Sequence, residues 1–410
     1  MLGRRRRPCV LTHTTNKRQM TSIRAGLLLS ICAALATVPC TVRGQAAAPS
    51  DSAPKPAPLK PATPGLNFAA WLFGDFQAQT DATAKAANGG STPNKFDIGR
   101  VYFTLTGPVG DRISYRATTD IRQNASTDSY HGWIVRLKYA FLQYDYMKKS
   151  PSGASAFARL GMLHTVLIDH EENFWLRYLS PTAVERNGFF SSADLGVATG
   201  ITLPNKLGEI YADIVNGTGY DNPENNKYKD YQARLTLTPF GKGASILQTF
   251  AISPWYSSGG NSSQFFNDPD HPITDRLAKD RWGLFVGNKD RRLTFGAEYA
   301  ERKDDTDGSD DPLTDQIVST TGQLYDGFIV IRPLEFSNPD TKQSFGATVR
   351  YDHFKPNKDA DGYSQFLVAG IFWEPTRKAA LALDYQAATP KNGLSGTKSE
   401  SVFLHWQLYF

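Results

Sequence analysis

Residues 112–122 read Arg-Ile-Ser-Tyr-Arg-Ala-Thr-Thr-Asp-Ile-Arg, and polar and less polar side chains alternate through this stretch. The less polar row is Ile113, Tyr115, Ala117, Thr119 and Ile121. Successive side chains of a β-strand point to opposite faces, so the segment predicts a strand with one face in an apolar environment and the other in water. A soluble β-sandwich also contains such strands, and the rest of the chain has to decide between a sandwich and a membrane barrel.

The same period of two recurs along the chain and predicts sixteen strands between residues 68 and 410. No apolar run reaches the roughly 18 residues that a transmembrane helix needs. Short turns such as 107–111 and 204–207 follow the even-numbered predicted strands, whereas long loops at 165–192, 254–280 and 303–322 follow odd-numbered ones. This alternation favours an all-β protein, a sixteen-stranded antiparallel transmembrane β-barrel with long extracellular loops and short periplasmic turns.

The beginning of the chain has the pattern of an export signal that starts at Met20. Arg24 is the positive charge, residues 25–38 are mostly apolar, and small residues at Gly44 and Ala46 match a cleavage site. We therefore predict an N-terminal extension and signal peptide over 1–46, a Pro/Ala-rich periplasmic tether over 47–66, and a transmembrane barrel over 67–410. A nucleic-acid-binding arm is the alternative interpretation of the arginines at 4–7.

Composition excludes several functions for the part that follows the predicted leader. All three cysteines, at positions 9, 32 and 40, lie within the leader, which argues against disulfides and cysteine metal sites. The leader holds eight Lys/Arg and no acid, so its removal changes the net charge from +5 to −3. This balance gives no basic footprint for nucleic acid. We expect no cofactor, no metal and no nucleic-acid partner.

No catalytic motif is apparent in the sequence. It contains neither Gly-x-Ser-x-Gly nor a phosphate-binding glycine loop, and the histidines have no acid at helical spacing. The expectation is therefore a protein that is not an enzyme. An outer-membrane barrel enzyme such as a lipase, with Ser and His on separate strands, is the alternative.

The last predicted strand ends the chain on an aromatic residue. In residues 401–410 the apolar side chains Val402, Leu404, Trp406, Leu408 and Phe410 share one face. A terminal strand ending in Phe resembles the signal that the outer-membrane assembly machinery reads. We assign that role to Trp406 and Phe410.

Several short motifs occur in a characteristic order. They are Arg100-Val-Tyr-Phe-Thr-Leu-Thr-Gly107, Gly110-Asp111, Tyr115-Arg116, Arg159-Leu-Gly-Met162, Glu185-Arg-Asn187, Gly196-Val197 and Asn216-Gly217. In these the sequence, from about Phe68 to Phe410, resembles the phosphate-selective porin O and P family. The resemblance implies a sixteen-stranded, trimeric porin in the outer membrane of a Gram-negative bacterium, with an extracellular loop folded into the lumen. It implies lipid, lipopolysaccharide, the assembly machinery and small solutes as partners, and it leaves the solute open, because members serve different anions or oligosaccharides.

The polar rows of the most regular strands carry many cations. If the apolar rows face lipid, Arg100, Arg112, Arg116, Arg136, Lys138, Arg234 and Arg350 line the lumen, together with Arg122, Arg292 and Arg302. The same rows hold the acids Asp120, Glu298 and Asp352. Rings of Arg or Lys in a pore favour anions, and the planar guanidinium suits phosphate or carboxylate. We expect an anion-preferring porin in which Arg116, Arg136 and Arg350 contribute most; the alternatives are a non-selective or cation-preferring porin whose arginines pair with loop acids.

The loop over 165–192 is rich in charge. It contains Asp169, Glu171, Glu172, Arg177, Glu185 and Arg186, with Phe174, Trp175 and Leu176 between them. We interpret it as a constriction loop whose apolar residues hold it against the wall; an ordinary surface loop is the alternative. The acids at 304, 305, 307, 310 and 311 are expected to form a solvated acidic loop, since Lys303 stands at the first position of the calcium-loop pattern.

Overall fold

The computed structural model describes residues 65–123, 132–243, 245–262, 276–307 and 317–410. The predicted export signal and nearly all of the predicted tether lie outside the described residues, as do Asp310 and Asp311. Statements about the fold below refer to the described ranges.

Sixteen antiparallel strands form one closed barrel, in which each strand pairs with its neighbours in sequence and β1 pairs with β16. Their bounds are Asn67–Gln79, Asn94–Pro108, Ile113–Gln123, Trp133–Met147, Ser155–His164, Ala193–Thr202, Gly208–Val215, Asp230–Leu237, Ala251–Ser262, Arg276–Lys289, Leu293–Asp307, Ile317–Ile331, Ser344–Lys355, Tyr363–Thr376, Ala379–Lys391 and Ser399–Tyr409 for β1 to β16. The predicted fold class is confirmed. Closure leaves no strand edge unpaired, which is the condition for β-structure in lipid.

The helices are short. They are α1 (Ala82–Ala87), α2 (Ile168–Glu171), α3 (Ala183–Arg186) and α4 (Pro333–Ser337), with a 3-10 turn at Pro204–Lys206. None of the helices in the described ranges has the length and apolar character needed to cross a membrane.

The two faces of the barrel differ in polarity as the alternation predicts. Leu137 and Leu142 point outward and are about half exposed, whereas Arg100, Asp120 and Lys138 point inward and are buried. Paired residues of neighbouring strands share a face, and Tyr102 opposite Asp120 and Asp120 opposite Arg136 form one such inward row. The barrel therefore has an apolar exterior and a polar interior, as expected of a barrel in a bilayer.

A β-bulge breaks the alternation of β4. Thr118 of β3 lies opposite Tyr139, and Thr119 lies opposite Leu137, so Lys138 is the extra residue of the bulge. The extra residue turns the side chains of both Lys138 and Tyr139 into the barrel. The Nζ of Lys138 lies 5.0 Å from the centroid of the Tyr102 ring and 5.2 Å from that of Tyr139.

The predicted bounds of two long loops, 254–280 and 303–322, are wrong. β9 begins at Ala251 and runs on to Ser262, β10 begins at Arg276, β11 reaches Asp307 and β12 starts at Ile317. The strands overrun the predictions because backbone pairing continues through stretches such as 254–262 and 317–322, in which polar and apolar side chains do not alternate regularly, and hydrophobic alternation does not detect it. The acids at 304 and 305 consequently lie on opposite faces of β11: Asp304 points inward to Arg281, and Asp305 points outward and accepts from the backbone N–H of Ala278.

Aromatic side chains ring the outside of the barrel near both ends. Towards the extracellular end, successive ring centroids in the row Trp282, Tyr299, Tyr325, His353 and Tyr363 are 5.5, 4.9, 6.3 and 4.5 Å apart. Towards the periplasmic end, Phe345 stacks on Trp373 and Phe68 lies 6.5 Å from Phe410. Such girdles mark the two interfaces of a membrane barrel.

The final strand lies where closure requires it. The backbone N–H of Phe410 donates to the Ala70 carbonyl at 3.0 Å, and that of Ala70 donates back at 2.8 Å. Trp406 lies opposite Gly74, where an added Cβ would come within 3.0 Å of the indole. The assembly role of Trp406 and Phe410 stays a prediction.

Candidate functional site

The connection between β5 and β6, residues 165–192, folds into the barrel. Val166, Leu167 and Ile168 at its start are fully buried. Farther along, Phe174 packs on Phe285 of β10 at 5.1 Å between ring centroids, and Trp175 packs on Phe328 of β12 at 5.2 Å. We call this segment the inner loop; it occupies part of the cross-section of the lumen.

Polar side chains of the wall donate hydrogen bonds to backbone carbonyls of the inner loop. The donors come from β8, β10, β11, β13 and β15 and therefore surround a large part of the barrel. The pairs are Arg234 to Val166, Arg281 to Phe189, Arg302 to Asn187 at 2.8 Å, Arg350 to Pro181, and Gln386 to Leu179 at 2.9 Å. A buried carbonyl without a donor is costly, so these contacts hold the backbone of the inner loop in one position.

Within the inner loop, Arg177 lies between two carboxyl groups of the same loop. The Nε of Arg177 lies 2.7 Å from Glu172, and its Nη2 lies 3.1 Å from Glu185. All three side chains are almost completely buried. They brace the inner loop from within, and little of their charge faces the lumen.

The other charged residues of the inner loop have separate positions. The guanidinium of Arg186 lies over the Phe366 ring at 3.6 Å from its centroid, and burial lowers the pKa of Arg186 to about 10. The Asp169 side chain is 30 % exposed and lies 3.3 Å from His164 Nε2. Partial burial raises the pKa of the Asp169 carboxyl, against the opposing effect of Arg116. Glu171 is buried against the wall.

Most wall cations predicted from the sequence meet a carboxylate. Arg350 makes two hydrogen bonds of 2.7 Å to Asp352, and Arg136 lies 2.8 Å from Asp120. Arg100 shares Asp120, and Arg234 pairs with Glu209. Lys138 is buried beside two tyrosines, as described above. Arg292 lies before β11, where it pairs with Asp290 at 2.8 Å. These pairs make the deep cations elements of the wall structure.

Arg112 and Arg116 are among the predicted wall arginines that differ from this pattern. Arg112 lies just before β3, is exposed, and donates to the carbonyl of Tyr146 at 3.1 Å, so it belongs to the periplasmic turn. Arg116 is buried; it contacts His164 Nε2 at 2.9 Å and has no carboxylate at ion-pair distance among the described residues.

Further inward cations are Arg159, Lys279 and Arg281, which the sequence alone did not single out, and several inward acids were missed as well. Arg159 stacks on Phe141 and Phe157 and approaches His164 Nδ1 at 3.4 Å. The missed acids are Asp194, Asp213, Asp230, Asp326 and Asp384. Strand parity predicts these acids once it is extended beyond the most regular strands. With them the interior carries both signs of charge in similar numbers.

No family model matches the chain, and no curated protein matches it significantly. Its fold is similar to that of solved outer-membrane proteins. OmpT of Vibrio cholerae in its trimer form aligns with a TM-score of 0.54 at 11 % identity, over 84 % of this chain and 99 % of that one. OmpF of Salmonella typhi in complex with daunomycin aligns with a TM-score of 0.52 at 12 % identity, over 84 % of this chain and 97 % of that one. An anion-selective porin from Comamonas acidovorans aligns with a TM-score of 0.53 at 8 % identity, over 84 % of this chain and 99 % of that one. At these identities the likeness concerns the fold, and the fold is that of porin barrels.

Proposed function

We propose that this protein is an outer-membrane porin through which small hydrophilic solutes diffuse passively. The observation that carries the proposal is a closed sixteen-stranded barrel with an apolar exterior and a charged interior, crossed by a wall-anchored inner loop. Barrels of about sixteen strands leave an aqueous channel, which an inward-folded loop narrows. An exported chain in the outer membrane of a Gram-negative bacterium fits this architecture.

The enzymatic alternative has little support from the geometry. Among the described residues His170 Nε2 lies 3.0 Å from the hydroxyl of Ser253. Ser253 is fully buried between the inner loop and the wall, so a substrate has no access to it. His405 pairs with Asp384 at 2.6 Å, which resembles the orienting half of a triad without supplying its nucleophile. A passive channel needs none of these groups.

For the solute we propose small anions such as phosphate, in keeping with the family resemblance of the sequence. The arginines that support this differ in part from those expected. Arg136 and Arg350 are neutralised by wall acids, whereas Arg116, Arg122 and Arg159 have no carboxylate at ion-pair distance among the described residues. Arg122 and Arg159 are also partly exposed to the lumen. Unpaired guanidinium groups leave their field available to a passing anion.

Single-channel recording in a planar bilayer tests both levels of the proposal. We expect stable conductance steps and, in a salt gradient, a reversal potential whose sign indicates a preference for anions. The double variant Arg122→Gln, Arg159→Gln should shift that potential towards cations, while Arg377→Gln, at the exposed β14–β15 turn, should leave it unchanged. Absence of channels would refute the porin, and cation preference of the intact protein would refute the anion proposal alone.

We propose that the protein forms a homotrimer. The sequence resemblance implies this assembly, and one of the similar solved structures, OmpT of Vibrio cholerae, is described in a trimer form. We expect an assembly that survives gentle detergent and dissociates on heating. Light scattering combined with heated and unheated gel electrophoresis measures this. Monomers alone in several gentle detergents would contradict it.

A further inference from the structure

Three carboxyl groups meet between the inner loop and the wall. Glu171 comes from α2, and Glu298 of β11 lies opposite Asp326 of β12 in the strand register. The side chains of Glu171 and Glu298 are in hydrogen-bond contact with each other. Each of the three groups has a buried oxygen that receives no donor: Glu171 Oε1, Glu298 Oε2 and Asp326 Oδ1. Two carboxylates in direct contact can form a hydrogen bond only if one of them holds a proton.

Few cationic or donor groups face this cluster. Trp255 Nε1 donates to Glu298 Oε1 at 2.8 Å, and Thr182 lines the same cavity as Glu171. Arg350 of β13 also lies beside the cluster, but its guanidinium donates two hydrogen bonds to Asp352. On the inner loop, Arg186 interacts with Asp352, and neighbouring His170 is engaged with Ser253. Four carboxyl groups thus face two arginines, and full ionisation would leave excess negative charge.

The surroundings offer little solvent to offset that charge. A cavity of about 10 Å³ separates Glu171, Asp326 and Arg350, and its other walls are mainly Trp175, Phe285 and Phe328. That volume holds about one water molecule. Among the described residues no three acidic, His or Cys side chains are arranged as metal ligands. Burial and the facing carboxyls raise the pKa of Glu171 well above its ordinary value.

We propose that Glu171 and Glu298 share a proton that fastens α2 to the barrel wall, which makes the inner loop a pH-sensitive latch. The effect on current rests on the proposed porin function; the shared proton does not. The docked state holds more protons than an undocked one, so lower pH favours docking. The stabilisation is complete below the ordinary pKa of a carboxyl group and is lost as pH rises through the raised pKa of Glu171.

Alkaline pH therefore has a defined consequence for the channel. When the shared proton leaves, adjacent carboxylates repel each other and α2 moves off β11 and β12. This displacement is directed towards the lumen, because β11 and β12 of the wall lie behind the cluster. The displaced segment then occludes part of the cross-section. In single-channel traces this gives transient lower conductance levels that become more frequent as pH rises.

The test combines current recording with infrared spectroscopy on the intact, folded protein. Between pH ~5 and ~10 the wild type should acquire transient closures, and at neutral pH it should show the carbonyl stretch of a buried protonated carboxyl group. Glu171→Gln should lose the closures and weaken the band by the contribution of the shared proton, since the amide donates to Glu298 at every pH. Glu298→Gln provides the same test from the wall. Asp304→Asn, which removes an inward but partly exposed carboxylate of β11, should keep both signals.

The outcomes separate the two proposals. Channels whose current is independent of pH, alkaline closures that persist in Glu171→Gln, or a wild type without the protonated carboxyl band would overturn the latch and leave the porin intact. Absence of channels would overturn the porin, and the infrared band would then decide on the shared proton by itself.

Discussion

Deleting residues 169–187 of the inner loop should raise the single-channel conductance by about two-fold or more, because the current through a water-filled barrel grows with its open cross-section. The deleted segment includes the side chains that pack on Phe285 and Phe328 and the carbonyl that binds Arg350. Recording in a planar bilayer under identical salt measures the change.

A matched control is a deletion of similar kind in the β15–β16 loop. Residues 393–397 are mostly exposed at the rim, and their removal should leave the conductance as it is. Both deletions must retain the heat-dependent mobility of a folded barrel. If a folded 169–187 deletion variant has unchanged conductance, the inner loop does not narrow the conduction path.

Replacing Arg350 by Leu should lower the free energy of unfolding by about 3–5 kcal/mol, since it leaves the carboxylate of Asp352 buried without its partner. The guanidinium is 1 % exposed, binds Asp352 through two hydrogen bonds and lies 5.0 Å from the Trp175 ring centroid. It also donates to the carbonyl of Pro181, so the loss affects the wall and the inner loop together. Urea unfolding in lipid or detergent measures the effect.

The double replacement Arg350→Leu, Asp352→Leu should recover much of that loss, because the Asp352 carboxylate is then removed together with its arginine. Arg377→Leu, at an exposed turn, should change the stability by less than about 0.5 kcal/mol. A single Arg350→Leu variant as stable as the wild type would show that solvent reaches Asp352. The inner loop would then have to be held by the other wall donors.

Much of the barrel follows from the sequence alone. Period-two alternation is a local property: it places Leu137 outside and Arg100 and Asp120 inside without any knowledge of strand partners. The length and apolar residues of 165–192 likewise suggested a loop folded inward, and Phe174 and Trp175 do pack on the wall. The last strand, which closes the barrel against β1, is likewise predicted by the alternation of apolar and polar residues in 401–410.

Only the tertiary structure decided which charges meet. Pairing depends on register, on the bulge at Lys138 and on the path of the inner loop, none of which leaves a periodic signal in the sequence. Arg350 pairs with Asp352 and the loop carbonyl, and Arg136 pairs with Asp120 and Asp221, whereas Arg159 has no carboxylate at ion-pair distance within the part of the chain that the structure describes. The same is true of Glu171 and Glu298, which are far apart in the chain and in contact in the barrel. Alternation tells which side chains turn inward, because that depends on neighbours in sequence; the partner of each charge depends on neighbours in space.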